Sequence, residues 1–143
     1  LNNGFDHRFS MIEECDLFVR LGYKWHLAYV DEVLAKWRVH KASWTWIHND
    51  DTPAEKKLFL NNLREYIPNF DELYFEEIKL IKRSCALEEA YLAWSKENKK
   101  KARELLKPYR KSSLKWFVVY WLICLPYSWF ATIKKLKDGV LPI

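Results

Sequence analysis

Hydrophobic and polar positions follow two different periods along this chain. Residues 14, 17, 18 and 21 carry Glu14, Leu17, Phe18 and Leu21. That spacing predicts a short helix from Glu13 to Leu21, with Gly22 as its stop. The period then shortens to two. Trp25, Leu27 and Tyr29 share one face of 24–30, and Val33, Ala35, Trp37 and Val39 share one face of 33–39. Both segments read as strands. Helical periodicity returns at Thr52. Thr52-Pro53-Ala54-Glu55 combines an N-cap, a proline at the first helical position and a capping-box acid. A helix is expected from there to Tyr66, stopped by Pro68. Others are expected at 71–97, at 99–107, and from Ser112 or Ser113 to about 136, the last interrupted at Pro126. No internal repeat is visible.

Composition narrows this picture. Three Gly and five Pro among 143 residues are few for a turn-rich sandwich or barrel. Eight each of Trp, Tyr and Phe supply enough aromatic area for a core with some left over for the surface. Cys15, Cys85 and Cys124 are odd in number and have no metal-type spacing. A disulfide scaffold and a structural zinc site are thereby disfavoured, and a reducing compartment is expected. The chain opens on Leu1 without a signal-peptide pattern and reads as a piece of something longer.

Charge is uneven. Residues 1–50 hold six basic and seven acidic side chains, net −1, whereas 51–143 hold eighteen and twelve, net +6. Eight basic residues against Glu97 and Glu104 put +6 into Lys96–Lys111 alone. This shift, with the turn-forming run Asn49-Asp50-Asp51-Thr52-Pro53, places an expected boundary near residue 50. The basic run precedes the most apolar stretch, Trp116–Phe130, which is too short for a membrane span and has Lys134, Lys135 and Lys137 beyond it. Cationic flanks around Trp and Tyr suit a helix at about 112–136 lying in the interface of an anionic membrane.

Candidate chemistry lies in the first fifty residues. Asn3-Gly4-Phe5-Asp6-His7-Arg8-Phe9 is followed by Glu13-Glu14-Cys15-Asp16-Leu17-Phe18-Val19-Arg20-Leu21, and later by Trp37-Arg38-Val39-His40-Lys41-Ala42-Ser43. Asp16 and Arg20, four apart, are spaced for a helix-surface ion pair, and Asp6 with Arg8 for bracing the loop before that helix. Lys36, Arg38 and His40 fall on one face of the second expected strand. Trp44 and Trp46 follow, available for stacking or packing. His7, His26 and His48 have no comparable context.

The three segments, in that order and spacing, resemble the end of the catalytic domain of family-2 glycosyltransferases, inverting enzymes of the GT-A fold. The likeness covers about residues 1–45, and the helical remainder looks only generally like the extensions such enzymes carry. It implies an α+β fragment, mostly α: a short GT-A helix-strand-strand portion over 1–50, then a helical extension over 51–143. It also implies transfer of a sugar from a nucleotide sugar to a saccharide or lipid-linked acceptor, as in cell-envelope polysaccharide synthesis, on the cytoplasmic face of a membrane. Such transfer needs a base for the acceptor hydroxyl and positive charge for the leaving diphosphate.

By that likeness Glu14 is the base, with Glu13 the alternative. Periodicity turns Glu14 toward the body of the protein, and Glu13 and Asp16 are expected to raise its pKa. The family mostly has Asp at this place, one methylene shorter. Asp16 is a supporting residue, Asp6 and Trp44 lie on the acceptor side, and His40 with Arg38 meets the diphosphate or a divalent metal, Mg²⁺ or Mn²⁺. The chain has no D-x-D metal motif and no βαβ nucleotide-binding half. The main metal ligands are therefore expected outside it, and the chain alone is expected to be inactive. A non-enzymatic helical module, on a membrane or on nucleic acid, is the competing class. The basic run lacks a nucleic-acid motif, so no nucleic-acid partner is expected for the enzyme.

Overall fold

A computed structural model of the chain describes residues 4–36, His40, Trp44 and 49–132. All regular structure among them is helical: α1 (Glu13–Lys24), a 3₁₀ turn (Asn49–Asp51), α2 (Thr52–Tyr66), α3 (Phe70–Leu73), α4 (Phe75–Ser95), α5 (Lys99–Leu106), α6 (Leu114–Leu122) and a last helical stretch, α7, at 127–132. The chain divides into two compact units, Leu1–Cys85 and Ala86–Ile143, with the division inside α4.

Among the described residues the expected helix-strand-strand portion is not formed, and the α+β, GT-A reading of the fold is corrected to all-helical. No strand occurs among the described residues. Residues 26–36 form neither helix nor ladder, and Trp25, Tyr29 and Val33 are 63%, 86% and 93% exposed. Alternation specifies a strand only when a neighbour supplies ladder partners, and no such neighbour occurs among the described residues. The expected stop at Gly22 is also corrected. α1 runs through it to Lys24 and closes with the Trp25 N–H on the Leu21 carbonyl at 2.9 Å.

The first unit is built on α2. Phe59, Leu60 and Leu63 of that helix bury against Phe9, Ile67, Phe70 and Ile78. α1 packs on α2, yet its fully buried residue is Asp16, not the Leu17–Phe18–Leu21 stripe. Phe18, Val19 and Tyr23 instead line an open apolar groove of about 600 Å³, floored by Phe59, Leu63 and Ile78. The expected helix at 71–97 starts one residue earlier and breaks at Tyr74, and its chain enters through Asn69 in the left-handed region at φ 57°. Asparagine tolerates that conformation better than most residues.

In the second unit, Ala90, Ala93 and Trp94 of α4 pack with Ala102 and Leu106 of α5 and Tyr120 of α6. The Asn98 side chain caps α5 by accepting from the Lys101 N–H at 3.1 Å. The Trp94 indole N–H donates to the Leu125 carbonyl at 2.9 Å, which satisfies the one polar atom of a side chain only 1% exposed. Tyr91, Tyr127 and Phe130 surround that indole with ring centroids 5.1–6.2 Å away.

α6 is apolar on nearly every side, with Lys115 its one charged residue. Trp116, Val119, Tyr120 and Ile123 face the core at helical spacing. Leu114, Phe117, Val118, Trp121, Leu122 and Leu125, spaced the same way, are exposed. Pro126 separates this helix from α7, as its missing N–H and fixed φ dictate.

Candidate functional site

The loop before α1 is tied down by side chains. Asp6 accepts from the Arg8 backbone N–H at 3.0 Å and from its guanidinium at 2.6–3.1 Å, and from the Asn62 amide at 3.2 Å. Arg8 in turn donates to the Asn62 side-chain oxygen at 2.9 Å, fastening the loop to α2. The hydrogen bonds from Arg8 hold the Asp6 carboxyl far below its usual range.

Four donors at the head of α1 converge on one carboxylate. Glu55 accepts from the backbone N–H groups of Ser10, Met11 and Ile12 at 2.9–3.2 Å and from the Ser10 hydroxyl at 2.8 Å. The capping acid expected to serve its own helix thus caps another. A negative charge at a helix N-terminus meets orphan N–H groups and the positive end of the helix dipole.

Arg20 joins the first two sequence segments. Its guanidinium donates to Asp16 at 2.7–2.9 Å and to the Gly4 carbonyl at 2.8 Å. The ion pair expected on the surface is therefore inside: the Asp16 side chain is 1% exposed and that of Arg20 14%. A polar pocket of about 670 Å³ opens beside this knot, lined by Phe5, Asp6, Asp16, Arg20, Asn62 and Tyr66 among others.

The structure thus gathers Asp6 and Asp16 at one pocket. Glu14 is exposed at the first turn of α1, and Glu13 beside it is partly buried with its Oε2 unpartnered. Neither carboxylate lines the pocket. Burial raises the pKa of the Cys15 thiol that follows them, and the charges of Glu14 and Glu13 add to the effect.

His40 and Trp44 are exposed, as is Lys36. Arg38 and Trp46 lie outside the described residues, and the strand face meant to align Lys36, Arg38 and His40 is not formed where the chain is described. Among the described residues no three His, Cys, Asp or Glu side chains converge. Those residues by themselves do not build a seat for the divalent metal that the likeness implies.

Sequence reasoning missed Asn62 and the reach of Glu55. Nothing in a Thr-Pro-Ala-Glu start distinguishes an acid that folds back from one that reaches across, and a lone Asn on a helix carries no signal of its own. No protein-family model matches the chain, and no curated protein or solved structure is significantly similar to it.

Proposed function

We propose that the chain is part of an inverting glycosyltransferase of family 2 and carries the acceptor-side base of that enzyme. The observation that supports this most is the Arg20 bridge. The Gly4-Phe5-Asp6 segment and the Glu13–Leu21 segment, adjacent in the family's order, are joined by one side chain. That rigid joint sets the head of α1, where Glu14 stands in open solvent with room for an acceptor. In the reaction the Glu14 carboxylate takes the proton of an acceptor hydroxyl. The oxygen attacks the anomeric carbon, and the nucleoside diphosphate leaves from the opposite face, inverting the centre.

Donor recognition belongs to chain beyond these residues, so the isolated chain neither transfers nor hydrolyses a nucleotide sugar. In an enzyme carrying the donor half, Glu14→Gln lowers kcat by about 10²-fold or more with folding stability nearly unchanged. Loss of turnover on Glu13→Gln alone would move the base by one residue. Wild-type turnover in both variants would end the base assignment.

No helix among the described residues is long and apolar enough to cross a membrane. We further propose that the chain lies peripherally on the cytoplasmic face of an anionic membrane, supported by the exposed stripe of α6 beside the Lys96–Lys111 run. Phe117 and Trp121 are each 51% exposed, so Phe117→Ser with Trp121→Ser leaves the fold intact and weakens sedimentation with anionic vesicles. A second reading, a non-enzymatic helical membrane module, is favoured by the absence of strands among the described residues. Vesicle binding by the full-length protein without any transferase activity would select it.

A further inference from the structure

Three arginines of the first unit are each paired with a carboxylate: Arg8 with Asp6, Arg20 with Asp16, Arg64 with Asp71. Arg103 and Arg110 in the second unit differ. The Arg103 guanidinium carbon lies 4.8 Å from the Tyr120 ring centroid and 5.3 Å from that of Trp121, and Arg110 lies 5.7 Å from the same Tyr120 ring. Arg103 donates to the Tyr120 hydroxyl at 3.2 Å, and its Nε is buried without a partner. No ion pair of either guanidinium with a carboxylate is formed among the described residues.

Two cations gathered on one aromatic ring repel each other, and the ring quadrupole offsets only part of that. A guanidinium has five N–H donors; with the Arg103 Nε buried and one of its Nη atoms on the Tyr120 hydroxyl, the remaining Nη donors of Arg103 and the fork of Arg110 are left for a ligand. Such donors match the oxygens of a phosphate in bidentate fashion, which an ammonium does not. The Tyr120 phenol reports the local field. Burial raises its pKa, but the hydrogen bonds and charges of Arg103 and Arg110 outweigh burial and bring it below the ordinary phenol value.

The surroundings select the carrier of the phosphate. Trp121, which touches Arg103, belongs to the exposed apolar stripe with Leu114, Phe117 and Val118. A ligand with an anionic phosphate joined to an apolar body satisfies both features at once. We propose that Arg103 and Arg110, held on Tyr120, form a discrete site for the phosphate of an anionic phospholipid headgroup at the polar edge of the α6 stripe. The proposal rests on the peripheral-membrane reading above and gives it a specific contact.

A charge-conserving exchange separates a discrete site from diffuse attraction. Arg103→Lys with Arg110→Lys keeps the net charge and removes the planar donor edges. Wild type and variant are cosedimented with phosphatidylcholine vesicles with and without phosphatidylglycerol. The site requires the variant to bind the anionic vesicles about tenfold more weakly or worse. Because Arg103 also packs on Tyr120, the wild-type protein supplies a second readout. The Tyr120 phenol, assigned by Tyr120→Phe, is titrated by ring-carbon NMR with and without short-chain phosphatidylglycerol below its micelle concentration. A bound phosphate offsets the two guanidiniums and raises the phenol pKa.

Equal vesicle binding by the variant, or a Tyr120 titration unmoved by the lipid, overturns the site while leaving the membrane reading standing. If wild type ignores both vesicle types, the membrane reading fails. Should inorganic phosphate then move Tyr120 as far as the lipid does, the headgroup assignment is overturned in favour of free phosphate.

Discussion

Glu55 caps a helix that begins forty-odd residues before it: its carboxylate accepts from the backbone of Ser10, Met11 and Ile12 at 2.9–3.2 Å. The contact is the main polar link between α1 and α2, and Glu55 is only 7% exposed. Glu55→Ala strands these donors in a partly dry setting and costs about 2 kcal/mol, read from urea unfolding. Glu55→Gln recovers only part of that, since an amide keeps one acceptor oxygen and turns an N–H toward other N–H groups. A Glu55→Ala protein as stable as wild type would show that α1 is capped by solvent alone.

Asp16 and Arg20 form the buried pair of the first unit. Arg20→Ala leaves a carboxylate uncompensated inside the protein and costs about 3 kcal/mol, more than a surface pair at the same spacing. Asp16→Asn with Arg20→Met removes both charges, so the double variant is more stable than Arg20→Ala alone. A double-mutant cycle on thermal unfolding measures the coupling. Coupling at the level of an exposed pair would contradict the burial.

Acid sensitivity follows from Asp6. Its folded-state pKa lies below the unfolded value of about 3.9 because Arg8 hydrogen-bonds the ionised form. A depressed carboxyl contributes its stability above the unfolded pKa and loses it as pH falls toward the folded one. Stability therefore declines from about pH 5 downward. Asp6→Asn flattens that limb but does not abolish it, because Arg64 likewise lowers the pKa of Asp71. Urea midpoints measured across the acid range give the slopes directly, and parallel slopes for the two proteins would contradict the assignment.

Gly22 sits inside α1, where glycine is the costlier choice by up to about 1 kcal/mol. A Cβ built there meets the Leu27 Cδ1 at 3.1 Å, and Leu27 is 66% exposed and has room to rotate. Gly22→Ala is therefore expected to stabilise the chain by about 0.5 kcal/mol, visible as a higher Tm. A lower Tm would mean that the Leu27 contact is rigid.

Legibility in the sequence tracked how local each cause was. α2 was readable almost to its ends because the signals for both are written nearby, in Thr52-Pro53 and in Pro68, although Asp51 and not Thr52 holds the N-cap place. The Asp16–Arg20 pairing was likewise visible as a spacing of four. Its burial was not, because spacing tells which side chains meet and leaves open which way the helix turns them. The 24–39 alternation misled for the same reason: a strand is a relation to a neighbour, and period two describes only one party to it. On α6 the apolar run was plain, while its division into a core face through Tyr120 and an open face through Trp121 required the packed structure. The arginines on Tyr120 had registered only as positive charge, since nothing local marks which cations lack a carboxylate.

Cys15, at the rim of the apolar groove and directly after Glu13 and Glu14, has its thiol pKa raised by burial and by those two charges, so little of it is thiolate at neutral pH. Alkylation there is expected to be correspondingly slow although the residue is exposed. The thiol is thus a built-in clock for the head of α1. Whatever loosens that first turn, from loss of the Glu55 cap to a docked ligand that pushes the carboxylates away, would be timed by how quickly iodoacetamide finds the sulfur.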